Sequence, residues 1–145
     1  MSVRGFSCIG LESPKFAENV GSAMRAAGCF GVAMVATSGQ RFKDLSTDTK
    51  KHYKHLPYLT VDNLQVAIPH MCVPVAIELL PDAVALPEFH HPERAFYIFG
   101  PEDGSISSSV LNWCQQRVYV PTEGCMNIAA TINVVLYDRQ CKQRK

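Results

Sequence analysis

Three separated segments of this sequence carry side chains that could do chemistry. In the first, Asn19-Val20-Gly21-Ser22-Ala23-Met24-Arg25, an amide and a guanidinium lie six residues apart. Six residues is not quite one helical face. If a helix begins only after Asn19, that side chain overhangs the helix start while Arg25 projects from its body. The second is Phe99-Gly100-Pro101-Glu102-Asp103-Gly104. Glycine lets backbone approach a ligand closely, exposed amides at a strand end can hold carboxylate, ribose or adenine groups, and Glu102 suits a hydrogen-bonding or acid–base role. The third, Val120-Pro121-Thr122-Glu123-Gly124-Cys125-Met126-Asn127, joins a strand to a helix, and Cys125 or Asn127 could cap that helix. Taken singly, each has an ordinary explanation: a solvated surface pair, a turn, a cap.

Other reactive groupings point to less. His90 and His91 with Glu88 and Glu93 look metal-like, but their loop is proline-rich and lacks the fixed scaffold a closed site needs. The same holds for His52 and His55. Cys125 as a covalent nucleophile needs a histidine base that the sequence does not place beside it. The six cysteines form no C-x-x-C pair, which argues against zinc and suggests free thiols in a reducing compartment. No metal is expected.

The elements that must position these segments alternate in kind. Val3 to Leu11 reads as a strand. Ser13-Pro14 reads as a helix start, with Ser13 as N-cap. Phe16 to Ala27 has apolar residues at helical spacing, bracketed by Gly28 and Gly31. Val32 to Ala36 reads as a buried strand, Thr37 to Lys54 as a basic loop with a short helix, and Val61 to Ile68 as a helix. Then come a strand at Val73 to Ile77, a proline-bearing loop with a helical turn over Pro81 to Pro92, and a strand at Ala95 to Phe99. A helix at Ile106 to Cys114, a strand at Arg117 to Val120, a last helix at Met126 to Asp138 and a basic tail, Gln140 to Lys145, complete the chain. Such alternation implies an α/β fold, a mostly parallel sheet covered on both faces. Ligands bind such sheets beyond the carboxyl ends of the strands, where the three segments fall. With 145 residues, no repeat and no linker, residues 1–145 read as a single domain.

Composition narrows the class of function. Hydrophobic residues make up 47% and charged residues 19%, an ordinary globular balance. A net charge of +1 gives no bulk signal for nucleic acid, so an RNA substrate needs a local basic patch. No apolar run spans a membrane, and the first residues lack a secretory h-region. A cytoplasmic location is expected.

In order and spacing, the three segments resemble the motifs of the TrmH (SpoU) family within the SPOUT superfamily, RNA ribose 2′-O-methyltransferases. Asn19-Val20-Gly21 through Arg25 fits N-x-G-x-x-x-R. Phe99-Gly100-Pro101-Glu102 fits the front of F-G-x-E-x-x-G, and Ser105 stands where that motif ends in glycine. Val120-Pro121 and Met126-Asn127-Ile128 fit the third motif, with Cys125 in place of the usual serine. A thiol is the poorer hydrogen-bonding group.

The resemblance implies an α/β fold with a deep trefoil knot near the carboxyl end, a homodimer, and S-adenosylmethionine as methyl donor. It implies that the donor is held by Ile77, Glu78, Gly100, Val120, Pro121, Cys125, Met126 and Ile128. Asn19, Arg25, Glu102 and Asn127 would be catalytic: Arg25 contacts and activates the 2′-hydroxyl, Asn19 orients Arg25 or the ribose, Glu102 fixes Arg25 or Asn19, and Asn127 positions the third loop. The helix from Phe16 and the last helix would form much of the dimer contact. The substrate expected is tRNA, met by Arg41, Lys43, Lys50, Lys51 and the tail Arg139 to Lys145. Ribosomal RNA, or an RNA- and S-adenosylmethionine-binding protein of little or no activity, is the alternative. A nucleotide-binding regulatory domain is the reading from a different class, and it leaves all three motifs as coincidence.

Overall fold

A computed structural model describes residues 4–45 and 55–143. Seven strands form one sheet: β1 (Phe6–Glu12), β2 (Met34–Ser38), β3 (Tyr58–Val61), β4 (Val73–Ile77), β5 (Val84–Ala85), β6 (Arg94–Phe99) and β7 (Gln116–Tyr119). Their order is β3-β2-β1-β6-β4-β7-β5, and every pairing is parallel. The helices are α1 (Ala17–Phe30), α2 (Ser108–Leu111) and α3 (Ile128–Gln143).

The strand alternation sorts side chains onto two covered faces. In β6, Ala95, Tyr97 and Phe99 face a core shared with α1 and α3, whereas Phe96 and Ile98 face a second core with Leu64, Ala67, Val110 and Cys114. All five of these β6 residues are essentially sealed. Burying a large apolar side chain contributes about 1.5–3 kcal/mol, so the sheet's centre is its firmest part. Helix α1 buries Val20, Ala23, Met24 and Ala27 at helical spacing and ends at Gly31, whose φ of 68° is the left-handed C-cap conformation. It lies beside α3, where the Phe30 and Tyr137 rings meet edge to face at 6.4 Å.

Several expected elements are redrawn. The N-cap of α1 is Phe16, not Ser13, and its side chain makes no capping bond. The expected helix over Val61 to Ile68 is the end of β3 followed by a single 3-10 turn, Leu64–Ala67, capped by Asn63 Oδ1 on the Gln65 N–H at 3.0 Å. Leu64 and Ala67 share the i, i+3 spacing of a helix, so periodicity could not separate a turn from a helix. The helix expected over Ile106 to Cys114 shrinks to α2, because Trp113 and Cys114 donate to Val110 and Leu111, three residues back, and the chain tightens out of α geometry before β7. The last helix runs five residues beyond Asp138, into the stretch expected to be a basic tail. There Arg139 is buried, and Lys142 donates to the carbonyls of Leu86 and Phe89 at 2.6 and 2.9 Å. Neither is a free cation for RNA. The short helix expected before Lys54, with Lys50, Lys51 and His52, lies outside the described residues, as do Arg144 and Lys145.

Both ring nitrogens of His91 are engaged within the protein. Its Nδ1 lies 2.6 Å from the Tyr97 hydroxyl and its Nε2 2.7 Å from Asp138 Oδ2. Among the described residues, no group of three His, Cys, Asp or Glu side chains is placed to hold a metal, and no helix is long and apolar enough to cross a membrane.

Candidate functional site

A cleft of about 510 Å³ opens at the carboxyl ends of β6, β4 and β7, three neighbouring strands. Each strand runs into it through its last residues: Ile77 and Glu78 after β4, Phe99 and Gly100 after β6, Tyr119 and Val120 after β7. Parallel strands leave such a crevice where consecutive connections diverge. The loop before α3 contributes Cys125, Met126 and Asn127, and the first turn of α3 contributes Ile128 and Thr131. The opposite wall is the start of α1, with Phe16 and Asn19, and the loop carrying Glu102.

Glu102 organises that wall. Its carboxylate accepts from the backbone N–H groups of Lys15 at 3.0 Å and Phe16 at 2.9 Å, and from Asn19 Nδ2 at 2.7 Å. The cap that α1 lacks locally is thus supplied from 86 residues away. The N-terminus of a helix presents unpaired N–H groups and a positive dipole end, which suit a carboxylate. Partial burial pulls the Glu102 carboxyl upward, but these donors outweigh it and hold its pKa below the ordinary value. Glu102 is therefore ionised at neutral pH. It acts as an acceptor that fixes Asn19 rather than as a proton donor.

The other clustered residues divide between scaffold and cleft. Asn127 Oδ1 accepts from the Ala130 N–H at 2.8 Å, so Asn127 caps α3 and lines the cleft at once. Glu78 Oε1 accepts from the Ile106 N–H at 2.9 Å, and Glu12 at the end of β1 accepts from the Ser107 N–H at 2.7 Å. Together the two carboxylates hold the chain that follows Gly104. A Cβ on Gly100 would come within 2.8 Å of the Ile106 nitrogen and 3.1 Å of the Ser105 carbonyl carbon. Gly100 is therefore fixed by close packing of backbone on backbone.

Two expected members stand apart. Pro121 lines a neighbouring apolar groove with Phe30, Val134, Tyr137 and Cys141 and is not on the cleft wall. Arg25 is also absent from the wall; it is exposed on α1 and makes no hydrogen bond or ion pair with the described residues. Six residues along an α-helix is about 9 Å of rise and about 120° of net rotation, so Asn19 and Arg25 project from different faces of α1. Of the residues not anticipated, Thr131 follows Asn127 by four, the spacing that places two side chains on one helical face. Phe16, Tyr119 and Thr122 carried no comparable signal.

Comparison with known proteins gives three findings. The model of the SpoU rRNA Methylase family matches residues 7–137. The 23S rRNA (guanosine-2′-O-)-methyltransferase RlmB of Acinetobacter baylyi is 23% identical over 94% of this chain, which spans only 59% of that protein. Among solved structures, the SpoU methyltransferase AviRb of Streptomyces viridochromogenes in complex with AdoMet superposes with a TM-score of 0.82 at 17% identity, over 96% of this chain and 61% of that one. A structure described as giving insights into the 2-OH methylation of C/U34 on tRNA superposes with a TM-score of 0.78 at 21% identity. It covers 94% of this chain and 95% of its own. At these identities the superpositions show the fold.

Proposed function

The chain belongs to the SpoU rRNA Methylase family, and from that premise we propose that it transfers a methyl group from S-adenosylmethionine to a ribose 2′-hydroxyl of RNA. The observation that carries this reading is the cleft itself. Asn19, Glu102 and Asn127, drawn from three distant segments, meet there around a glycine-edged, largely apolar pocket.

The pocket fits the donor. Its volume lies within the roughly 300–1,000 Å³ of small-molecule sites. Ile77, Leu79, Val120, Met126 and Ile128 offer apolar contact for adenine, and the strand-end backbone at Gly100 offers hydrogen-bonding groups. When bound, S-adenosylmethionine supplies an already electrophilic methyl group on its sulfonium. The chain must then supply alignment and stabilise charge on the attacking oxygen. Arg25 suits the second task as a hydrogen-bond donor to the developing alkoxide or a clamp on the adjoining phosphate. A guanidinium stays charged and is not the base, so as the S–CH3 bond breaks and the O–CH3 bond forms the 2′-hydroxyl proton passes to solvent water. Asn19, held by Glu102, orients the ribose; Asn127 fixes the third loop through its cap on α3. Cys125 weakens whatever contact a serine hydroxyl would make there.

We infer that Arg25 reaches the cleft of a second copy in a homodimer. The support is its exposure away from its own cleft and the exposed apolar side chains of Val134 and Tyr137 on the neighbouring helix α3. A carboxyl-terminal knot accords with the non-sequential order β6-β4-β7-β5 around the cleft. A single domain over 1–145 and a cytoplasmic location belong to the same proposal. For the substrate, tRNA is favoured by the likeness to the structure concerned with the 2-OH methylation of C/U34 on tRNA. The homology to that 23S rRNA enzyme supports ribosomal RNA as the second reading.

The test is methyl transfer from labelled S-adenosylmethionine to purified tRNA and 23S rRNA, followed by alkaline hydrolysis. A ribose 2′-O-methyl group leaves an alkali-resistant dinucleotide. Label recovered only in mononucleotides would mean base methylation and would overturn the ribose assignment. Gly100→Ala probes the donor pocket separately. The new Cβ must displace backbone at residues 105 and 106, an overpacking cost of about 1–3 kcal/mol. Donor affinity by calorimetric titration should fall about tenfold, which is 1.4 kcal/mol of that cost; an unchanged affinity would remove Gly100 from the donor site.

A further inference from the structure

Arg41 resembles a surface cation waiting for RNA, but its contacts face inward to the protein. Its guanidinium makes a fork to Asp103, Nη1 to Oδ2 at 3.0 Å and Nη2 to Oδ1 at 2.6 Å. The same group donates to the Ser13 carbonyl from Nη2 at 3.0 Å and Nε at 3.3 Å. Its backbone N–H donates to the Pro14 carbonyl at 3.0 Å, and the Ser13 N–H donates to Ser38 at 2.7 Å. One residue thus ties together the loops that follow β1, β2 and β6.

The adjacent side chains Glu102 and Asp103 pull in two directions. Glu102 is gripped by the start of α1 and by Asn19. Asp103 is gripped by Arg41, with Lys15 Nζ at 3.8 Å. The loop is short, closed by the Gly104 N–H on the Pro101 carbonyl at 3.3 Å. The two grips fix the short segment between Gly100 and Gly104 to the start of α1 and to the loop after β2. Isolated exposed ion pairs contribute little unless bidentate or networked. This one is both, and the Arg41 fork drives the Asp103 carboxyl down to about 2.

We propose that Arg41 is a positioning residue: by clamping Asp103 to the Ser13 carbonyl it holds Glu102, and through Glu102 the amide of Asn19, in the geometry the cleft requires. It rests on the methyltransferase reading given above. The role differs in sign from that of an RNA contact. If Arg41 served a phosphate, Asp103 would compete with RNA, and its removal would tighten RNA binding.

The experiment uses the full chain with Arg41→Ala, Arg41→Lys and Asp103→Asn, reading kcat, the KM for RNA, and amide hydrogen exchange over residues 13–19 and 100–106. Arg41→Ala should speed exchange in both segments about tenfold. It should lower kcat about tenfold while leaving the KM for RNA within about twofold. Asp103→Asn should act in the same direction. Arg41→Lys should not rescue, because an ammonium cannot make the fork. A raised KM with unchanged kcat, rescue by lysine, or tighter RNA binding by Asp103→Asn would overturn the proposal in favour of direct RNA contact. Unchanged exchange in both variants would overturn it outright. If the unsubstituted protein methylates no RNA, the enzymatic reading falls, and hydrogen exchange still decides whether the clamp exists. Should Arg41→Ala fold poorly, Asp103→Asn breaks the same fork from an exposed side chain.

Discussion

Arg25→Ala should lower kcat by about 10²–10³-fold, the usual cost of removing one preorganised donor to a developing oxyanion. The affinity for S-adenosylmethionine should change by less than about twofold, because Arg25 does not line the donor cleft. Arg25→Lys should recover little, since a point charge replaces a planar fork. The same variant tests the dimer. Mixing Arg25→Ala subunits with Glu102→Gln subunits, each nearly inactive alone, creates mixed dimers. In these, one cleft has an intact Glu102 wall and an intact Arg25 from its neighbour. Random exchange makes half the dimers mixed, with one of two sites complete, so about a quarter of the unsubstituted activity should return. No recovery, with exchange verified, would place Arg25 in its own protomer's site. Near-normal turnover by Arg25→Ala alone would remove it from catalysis.

The cleft was largely legible in the sequence because its members sit at strand ends. The motif resemblance pointed to Ile77, Glu78, Gly100, Val120 and Asn127, and parallel topology explains why the residues after β4, β6 and β7 converge on one cleft. The resemblance already implied that Glu102 fixes Arg25 or Asn19, and it holds Asn19; its role as the cap of α1 was not legible. Its partners Lys15, Phe16 and Asn19 lie 83 to 87 residues away, and no local rule pairs a carboxylate with a helix start at that distance. Ser13 and Pro14 imitated a local start signal. The true cap is a tertiary contact, which is why Phe16, a poor N-cap by propensity, is tolerated there. The partner of Arg41 was hidden for a related reason. Sequence shows a cation among other cations, and only the fold sets Asp103 beside it.

The fold was clearest where burial is two-sided and least clear where an element is short. Val73–Ile77 and residues 95–99 are continuous apolar runs that fit an interior strand. Tyr58–Val61 forms an edge strand with two of its four residues exposed, so it lacks the apolar run that marks an interior strand. The last helix was cut short because Arg139 and Lys142 look like solvent-facing residues. A one-dimensional pattern cannot reveal that carbonyls at the other end of the sheet are waiting for them.

Arg139→Met should lower the unfolding free energy by about 3–5 kcal/mol. Arg139 is 6% exposed, and its guanidinium donates to the carbonyls of Pro92 and Glu93 at 2.8 Å each, to that of Phe6 at 3.4 Å, and to the Tyr97 hydroxyl at 3.0 Å. A buried acceptor left without its donor costs about 1–3 kcal/mol, and methionine leaves several. For a domain of this size the loss should lower the melting temperature by roughly 10 °C. Lysine should not rescue, since three donors on one atom cannot reach acceptors spread around a plane. The hydroxyl of Tyr97, accepting from Arg139, turns its own proton toward His91 Nδ1, which leaves His91 Nε2–H to donate to Asp138. The neutral form of His91 satisfies both contacts. Burial pushes its pKa below the ordinary value against the pull of Asp138. The unfolded chain then binds the extra proton first, so stability is full above about pH 6.5 and declines as pH falls through that value. Denaturant titrations at several pH values check both effects. An Arg139→Met variant within about 1 kcal/mol of the unsubstituted protein would show that the network only decorates the base of the sheet. A large loss would mean that the helix carrying Asn127, Ile128 and Thr131 to the cleft is anchored at its far end by this one buried cation.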